Sequence, residues 1–312
     1  MIKGIHHVTL VVQNLEAAQL YYCAVAGMKC LADDNARALT PASDDPDCPP
    51  ARHSLLAGRN GYLELVAPHW SLSPPPAVGN PINRPGIRHF CAQNFDCRAL
   101  EEAVTGNGGS LIAPPLDLGT GNQYAYARDC EGNIMEIEGL PYAPQGEATW
   151  LGHVAVVTQN MGRAVSFYSG LCGSALQNRG HFGPGPQFDR MGGLVGARLE
   201  GAWLQTGNMS LELWQFHAPQ YPPEASKRQS SDPGFTQLCF ETDDLEADLN
   251  KIEGLGGRLL SECVENDQAR TVLASDPEGN TLKLLEFRDA ASPLSIAALD
   301  DPGICARVEA RR

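Results

Sequence analysis

No stretch of the chain approaches the roughly 20 consecutive apolar residues that a membrane helix needs, so a membrane-spanning protein is not expected. Basic residues are scarce. The 23 Lys and Arg stand against 37 Asp and Glu, giving a net charge of −14 and a pI near 4.9. That balance repels phosphate backbones and anionic headgroups, which argues against nucleic acid or a membrane surface as partners. The ten cysteines include no Cys-x-x-Cys pair, so neither a zinc ribbon nor a thioredoxin-like site is expected. They read instead as reduced, packed thiols of a cytoplasmic protein. The glycine-rich stretch GHFGPGPQFDRMGGLVG (180–196) lacks the Gly-Lys-Ser/Thr of a phosphate loop and reads as a mobile loop and short helix at a cavity mouth. The first residues, MIKGIHHVTLVV, carry one lysine and no small-residue cleavage site, and form a strand rather than a signal peptide. With 43% apolar and 19% charged residues over 312 positions, the chain is an ordinary globular protein long enough for two domains.

What it does have is repetition. Residues 4–28, GIHHVTLVVQNLEAAQLYYCAVAGM, align with 150–174, WLGHVAVVTQNMGRAVSFYSGLCGS. GRNGYLELVAP (58–68) aligns with TGNMSLELWQF (206–216), GIRHFCAQNFDCRALEEAV (86–104) with GFTQLCFETDDLEADLNKI (234–252), and DCEGNIMEIEGL (129–140) with DPEGNTLKLLEF (276–287). The chain is a duplication of roughly 147 residues, and each half divides again. A strand, a helix and three further strands recur over 3–67, 86–138, 150–216 and 234–287. Asn14, Asp96, Asn160 and Asp243 are N-cap candidates, and Gly27, Gly106, Gly170 and Gly254 mark helix ends. Proline-rich connectors at 71–86 and 217–234 cannot enter a sheet interior. The expected fold is α+β: four βαβββ modules whose curved mixed sheets enclose cavities, with domains at 1–140 and 150–288 and a surface tail at 289–312.

Period-two alternation places particular polar residues on the inner faces. The first strands offer His7, His89, His153 and Gln237; the fourth strands offer Glu64, Glu136, Glu212 and Lys283. Three modules thus present a His/Glu pair, and two such modules side by side supply the donors that a divalent cation requires.

Here the chain resembles the vicinal oxygen chelate superfamily, which includes glyoxalase I, methylmalonyl-CoA epimerase, extradiol dioxygenases and bleomycin-resistance proteins. The resemblance rests on His7-Val8 and His153-Val154, the Leu-Glu-Leu strands at 63–65 and 211–213, and the two Asp-x-Glu-Gly-Asn turns, and covers about 4–287. It implies metal positions on the first and fourth strand of each module. His7, Glu64, His89 and Glu136 match the His-Glu-His-Glu set of bacterial glyoxalase I enzymes, with Glu64 and Glu136 as the proton-moving carboxylates. Gln237 and Lys283 would leave the other half without metal, hence one divalent ion per chain (Zn, Ni, Co, Mn or Fe(II)). That arrangement assumes that modules pair in sequence, which the short 139–149 connector favours. If they cross, the set becomes His89, Glu136, His153 and Glu212.

Two chemistries suit such a site. A non-redox ion can chelate adjacent oxygens of a small substrate while a glutamate moves a proton, as glyoxalase-like lyases, isomerases and epimerases do. Alternatively, Fe(II) in a two-His-one-carboxylate face cleaves a catechol ring; the fourth protein carboxylate counts against it. A non-catalytic resistance-type binder has no use for intact His/Glu sets. Arg37, Arg52 and Arg88 form no cluster for a glutathione carboxylate, and Arg88 alternates away from the cavity. His6 points away from His7's face; His53, His69, His181 and His217 fall in or beside loops without a partner; Glu138 shares the inner face with Glu136 as a group behind the ligands or a rim carboxylate, and Tyr124 packs. No organic cofactor is expected, and the chain is a monomer or homodimer.

Overall fold

The computed structural model describes residues 1–32, 39, 51–69, 81–222 and 232–312. Arg37, residues 71–80 of the first proline-rich connector and 223–231 of the second lie outside the described residues. Each module begins with a long strand followed by a helix. The first comprises β1 (Ile2–Val11), the helix Leu15–Ala26, β2 (Lys29–Cys30), β3 (Arg52–Ala57) and β4 (Tyr62–Ala67). The second comprises β5 (Gly86–Asn94), the helix Cys97–Gly106, β6 (Ser110–Leu111), β7 (Gln123–Arg128) and β8 (Ile134–Gly139). In the third, β9 (Trp150–Val157) leads through the helix Met161–Cys172 to β10 (Leu176–Phe182), a short helix Pro186–Gly192, β11 (Arg198–Gln205) and β12 (Ser210–Ala218). The fourth holds β13 (Gly234–Thr242), the helix Leu245–Gly254, β14 (Arg258–Leu259), β15 (Val264–Glu265), β16 (Ala269–Ser275) and β17 (Thr281–Phe287).

Two sheets result, and they do not follow the two halves of the sequence. One runs β14-β16-β17-β13-β1-β4-β3-β2, with β15 on β16; the other runs β10-β11-β12-β9-β5-β8-β7-β6. The first module therefore shares its sheet with the fourth, and the second with the third. The sequential pairing is corrected to the crossed one. Connector length supplies the reason. The short segment between β8 and β9 keeps β9 close to the second module, where it settles against β5, two strands from β8. The longer proline-rich connectors allow the first and second modules, and the third and fourth, to part into different sheets.

Contacts within each half come instead from helices and turns. Asp129, first residue of the Asp-x-Glu-Gly-Asn turn, accepts from Tyr22 Oη (2.7 Å), and Glu131 accepts from the backbone N–H groups of Gln13 and Asn14 (2.7 and 2.6 Å). Asp276 and Glu278 repeat this with Tyr168 (2.8 Å) and Gln159 (3.0 Å). The turns that resemble each other in sequence are thus staples binding the second module to the first and the fourth to the third. A continuous apolar core, including Tyr21, Phe90, Trp150, Phe167 and Phe240, fills the space between the sheets and beneath the helices.

The segment after β17 is not a surface tail. Leu294, Ser295 and Ile296 are buried against the first sheet, and the helix Ile304–Glu309 buries Ile304, Cys305 and Val308. Glu241 accepts from Ser295 Oγ (2.5 Å) and Ile296 N (2.8 Å), fixing the entry of a short 3-10 turn at Ile296–Ala298.

Candidate metal centre

At the middle of the second sheet, β5 and β9 run antiparallel with Cys91 opposite His153 and His89 opposite Ala155. β8 lies parallel to β5 and β12 parallel to β9. Alternation then aims four side chains at one point on the inner face: His89 and His153 from the central strands, Glu136 and Glu212 from their flanking neighbours. Their ligand-capable atoms all lie within 4.8 Å of one another. Glu136 Oε2 is 3.2 Å from His89 Nε2 and 3.1 Å from His153 Nε2; Glu212 Oε2 is 3.1 Å from His153 Nε2 and 3.8 Å from His89 Nε2. This is the crossed set. His7 and Glu64, placed with His89 and Glu136 by the sequential reading, stand in the other sheet and cannot reach this point.

The donor set fits a divalent cation. Glu212 Oε2 is buried and makes no hydrogen bond, although His153 Nε2 is only 3.1 Å away, because the pair is not aligned for one. Glu136 Oε2 bridges the two imidazole Nε2 atoms at 3.2 and 3.1 Å, and Glu212 Oε2 points to the same place. With both imidazoles neutral, as metal ligation requires, two imidazoles and two carboxylates would sum to −2, which a dication neutralises. Glu212 is oriented from behind by Trp203, whose Nε1 donates to Oε1 at 2.7 Å and leaves Oε2 facing inward. Burial alone would raise the Glu136 carboxyl, but hydrogen bonds from His153 and His89 outweigh it and hold it below its usual range. Burial would lower His153; the charges of Glu212 and Glu136 lift it well above the ordinary imidazole range instead. His89, the deepest of the four, is lowered by burial despite Glu136.

Glu136, His153 and Glu212 line a cavity of about 710 Å³, and His89 lies behind them. One wall is aromatic: Phe182, Phe188, Trp203, Trp214 and Phe216, with Met191 of the short helix Pro186–Gly192. The glycine-rich stretch thus does supply a helix at the cavity. The opposite wall is polar. Glu138 accepts from Gln93 (2.5 Å) and Asn122 (2.9 Å), and burial, reinforced by Glu136, raises its carboxyl to about 7. Glu138 lines the cavity beside Tyr124. Sequence reasoning missed the C-terminal helix, which contributes Cys305, Val308 and Glu309 to the cavity wall. Its signal was slight: three apolar residues in IC-ARV, at helical spacing. Among the described lining residues Arg312 is the one arginine. Arg88 is buried and does not line the cavity, and Arg52 pairs with Glu16 on the outside.

The equivalent point in the first sheet is finished differently. Lys283 and Gln237 stand where the second sheet has Glu136 and His89. Burial would raise the Glu64 carboxyl, but Lys283 and then His53 and His7 hold it well below its usual range. Glu64 also accepts from Thr9 Oγ1 at 2.7 Å. His6 does not point away from His7. A register shift between Ile5 and His7 turns both rings to the same side, with their Nδ1 atoms 2.7 Å apart. His6 stacks on Tyr62 with ring centroids 4.6 Å apart and bonds the Leu294 carbonyl at 2.8 Å.

The family profile described as Glyoxalase/Bleomycin resistance protein/Dioxygenase superfamily matches residues 4–137 and again 150–284. No curated protein matches the chain in sequence. Among solved structures, glyoxalase I from Zea mays is similar at 20% identity and a TM-score of 0.62, over 91% of this chain and 92% of that one. A putative dioxygenase from Bacillus subtilis subsp. subtilis str. 168 is similar at 11% identity and a TM-score of 0.61, over 100% of this chain and 96% of that one. At these identities the likeness is one of fold. No helix among the described residues is long and apolar enough to cross a membrane.

Proposed function

This chain belongs to the glyoxalase/bleomycin resistance protein/dioxygenase superfamily, and on that premise we propose that it is a metal-dependent enzyme of the lyase, isomerase or epimerase type. Its site is His89, Glu136, His153 and Glu212, and its substrate a small molecule with adjacent oxygens. The observation that carries this reading is the convergence of those four buried side chains beneath an open cavity. His89, Glu136, His153 and Glu212 would hold a divalent ion there, which would supply Lewis acidity toward the substrate oxygens. The chain's own residues do the rest. His89 and His153 hold position from the rigid central strands. Glu212 makes one hydrogen bond, to Trp203, and its free Oε2 faces the cavity, so it is the carboxylate placed to take and return a proton. Glu136, shared between both imidazoles, stays fixed. The aromatic wall excludes water and suits an apolar substrate body.

Elemental analysis of reconstituted protein tests the site. Wild type is expected to hold about one divalent ion at high affinity, His153→Ala is expected to lose it, and Glu212→Gln is expected to keep most of the metal while losing turnover. Retention of the metal at full stoichiometry in His89→Ala and His153→Ala would overturn the assignment. Oxygen uptake by the iron-loaded protein with a catechol panel would replace proton transfer with ring cleavage.

A further inference from the structure

We propose that the chain carries a second, weaker transition-metal site on the outer face of the third module, formed by His181, Glu200 and His217. It lies apart from the site on the inner face and does not depend on it. The three residues sit on adjacent strands. His181 of β10 pairs directly with Glu200 of β11, and His217 follows the register shift by which β12 passes β11. Their neighbours Phe182, Leu199 and Phe216 line the cavity, so alternation turns His181, Glu200 and His217 to the opposite surface together.

Their ligand-capable atoms lie within 4.8 Å of one another. Glu200 is the fixed member: it is buried, with 5% exposure, while both histidines are exposed and free to close by the small distance that metal bonds require. Arg179 donates to Glu200 Oε1, which leaves Oε2 for the histidine side, 3.8 Å from His217 Nε2. The imidazole rings are 6.3 Å apart and inclined by 34°. Two imidazoles and one carboxylate oxygen, with positions open to water, suit Zn²⁺, Co²⁺ or Ni²⁺ and not the all-oxygen preference of Ca²⁺ or Mg²⁺. The nearby guanidinium and the exposed setting make it the weaker of the two sites. Its placement gives it a consequence. β10 is the edge strand of its sheet and leads through Phe182 into the helix Pro186–Gly192 at the cavity, so a cation here fastens the root of that segment.

The test is zinc stoichiometry on chelator-stripped full-length protein, by calorimetry and by elemental analysis after equilibrium dialysis. Wild type is expected to bind one Zn²⁺ more than His181→Ala/His217→Ala. Glu200→Gln is expected to weaken that equivalent by about tenfold or more. The exposed control His69→Ala is expected to change nothing. Both histidines are exposed, so the double variant should keep wild-type circular dichroism. Equal stoichiometry in wild type and the double variant overturns the proposal, and so does an equal loss in His69→Ala, which would mean surface adsorption. A wild type that binds a single equivalent, lost in the double variant, upholds this site while removing the inner one.

Discussion

Glu136 and Lys283 occupy the same place on the inner faces of two equivalent sheets. In the second sheet the Glu136 carboxylate lies 3.2 and 3.1 Å from two imidazoles, with Glu212 beside them and a cavity of about 710 Å³ above. In the first, the Lys283 ammonium compensates Glu64, and the space is filled by an apolar cluster of Tyr62, Leu285, Phe287, Leu294 and Ile296. The difference shows how one copy of a duplicated site becomes structural. A buried carboxylate needs a cation. The second sheet leaves that place for a divalent ion, while the first supplies it within the chain and closes the remaining volume with the C-terminal segment.

The comparison is broken most directly by removing ligands. His89→Ala and Glu136→Ala should each weaken metal binding by well over tenfold, since even changes behind the ligands cost about 10–100-fold. His153→Ala should behave alike, whereas His7→Ala and Glu64→Ala should leave the metal content of the folded protein unchanged. Elemental analysis of the five variants decides it. Metal loss confined to the His7 and Glu64 variants would move the site to the other sheet.

Removing the built-in cation comes next. Lys283 is 2% exposed, so Lys283→Met strands Glu64 without its main compensating charge. Breaking a buried pair from one side costs about 3–5 kcal/mol. Adding Glu64→Gln should return most of that loss. Urea unfolding of the single and double variants measures both, and a single variant as stable as wild type would show that His53 and His7 suffice.

Much of this was legible from the chain. The four modules, the inner-face residues and three of the four N-caps, Asn14, Asp96 and Asn160, appear as the repeat implies. The fourth cap is Asp244, whose side chain accepts from Ala247 N, and not Asp243, which pairs with the N-terminal ammonium. The third module's helix runs through Gly170 to end at Gly173, whose φ of 64° is the left-handed conformation that stops a helix. Gly106 and Gly254 are last helical residues, not caps. Module pairing was not legible, because alternation says which face a residue takes and nothing about which edge its strand will meet. The short connector between β8 and β9 held the answer, though as a tether between neighbouring strands and not as a boundary between domains. The partners of His181 and His217 were hidden for the same reason: they become neighbours only across strands.

The closing of the first sheet by the C-terminal segment gives a smaller effect. Leu294 is 5% exposed and its carbonyl holds His6. Leu294→Ala should cost about 2–4 kcal/mol, the usual range for a buried leucine, without touching metal stoichiometry. Val195→Ala, at a residue 88% exposed, should stay within about 0.5 kcal/mol. Equal effects in thermal or urea unfolding would mean that the segment rests on the sheet without filling it.

The smallest expected effect sharpens the comparison at the level of one hydrogen bond. Trp203 Nε1 donates to Glu212 Oε1 at 2.7 Å, and the same indole packs edge-on against Trp214 with ring centroids 5.5 Å apart. Trp203→Phe keeps an aromatic ring for that packing and removes the donor, together with part of the indole's bulk. Glu212 would then keep its place on β12 but lose the bond that turns Oε2 toward His153. Groups behind a ligand typically contribute about 10–100-fold to metal affinity, and with the backbone and Glu136 intact the lower end applies, about tenfold or ~1.4 kcal/mol. The counterpart in the first sheet is Thr9, whose hydroxyl donates to Glu64 Oε2 at 2.7 Å. Thr9→Val removes that bond where no metal is proposed, so it should leave metal affinity as in wild type. Competition with a chromophoric chelator measures both. A Trp203→Phe protein that binds as tightly as wild type would mean that Glu212 is held by its strand alone.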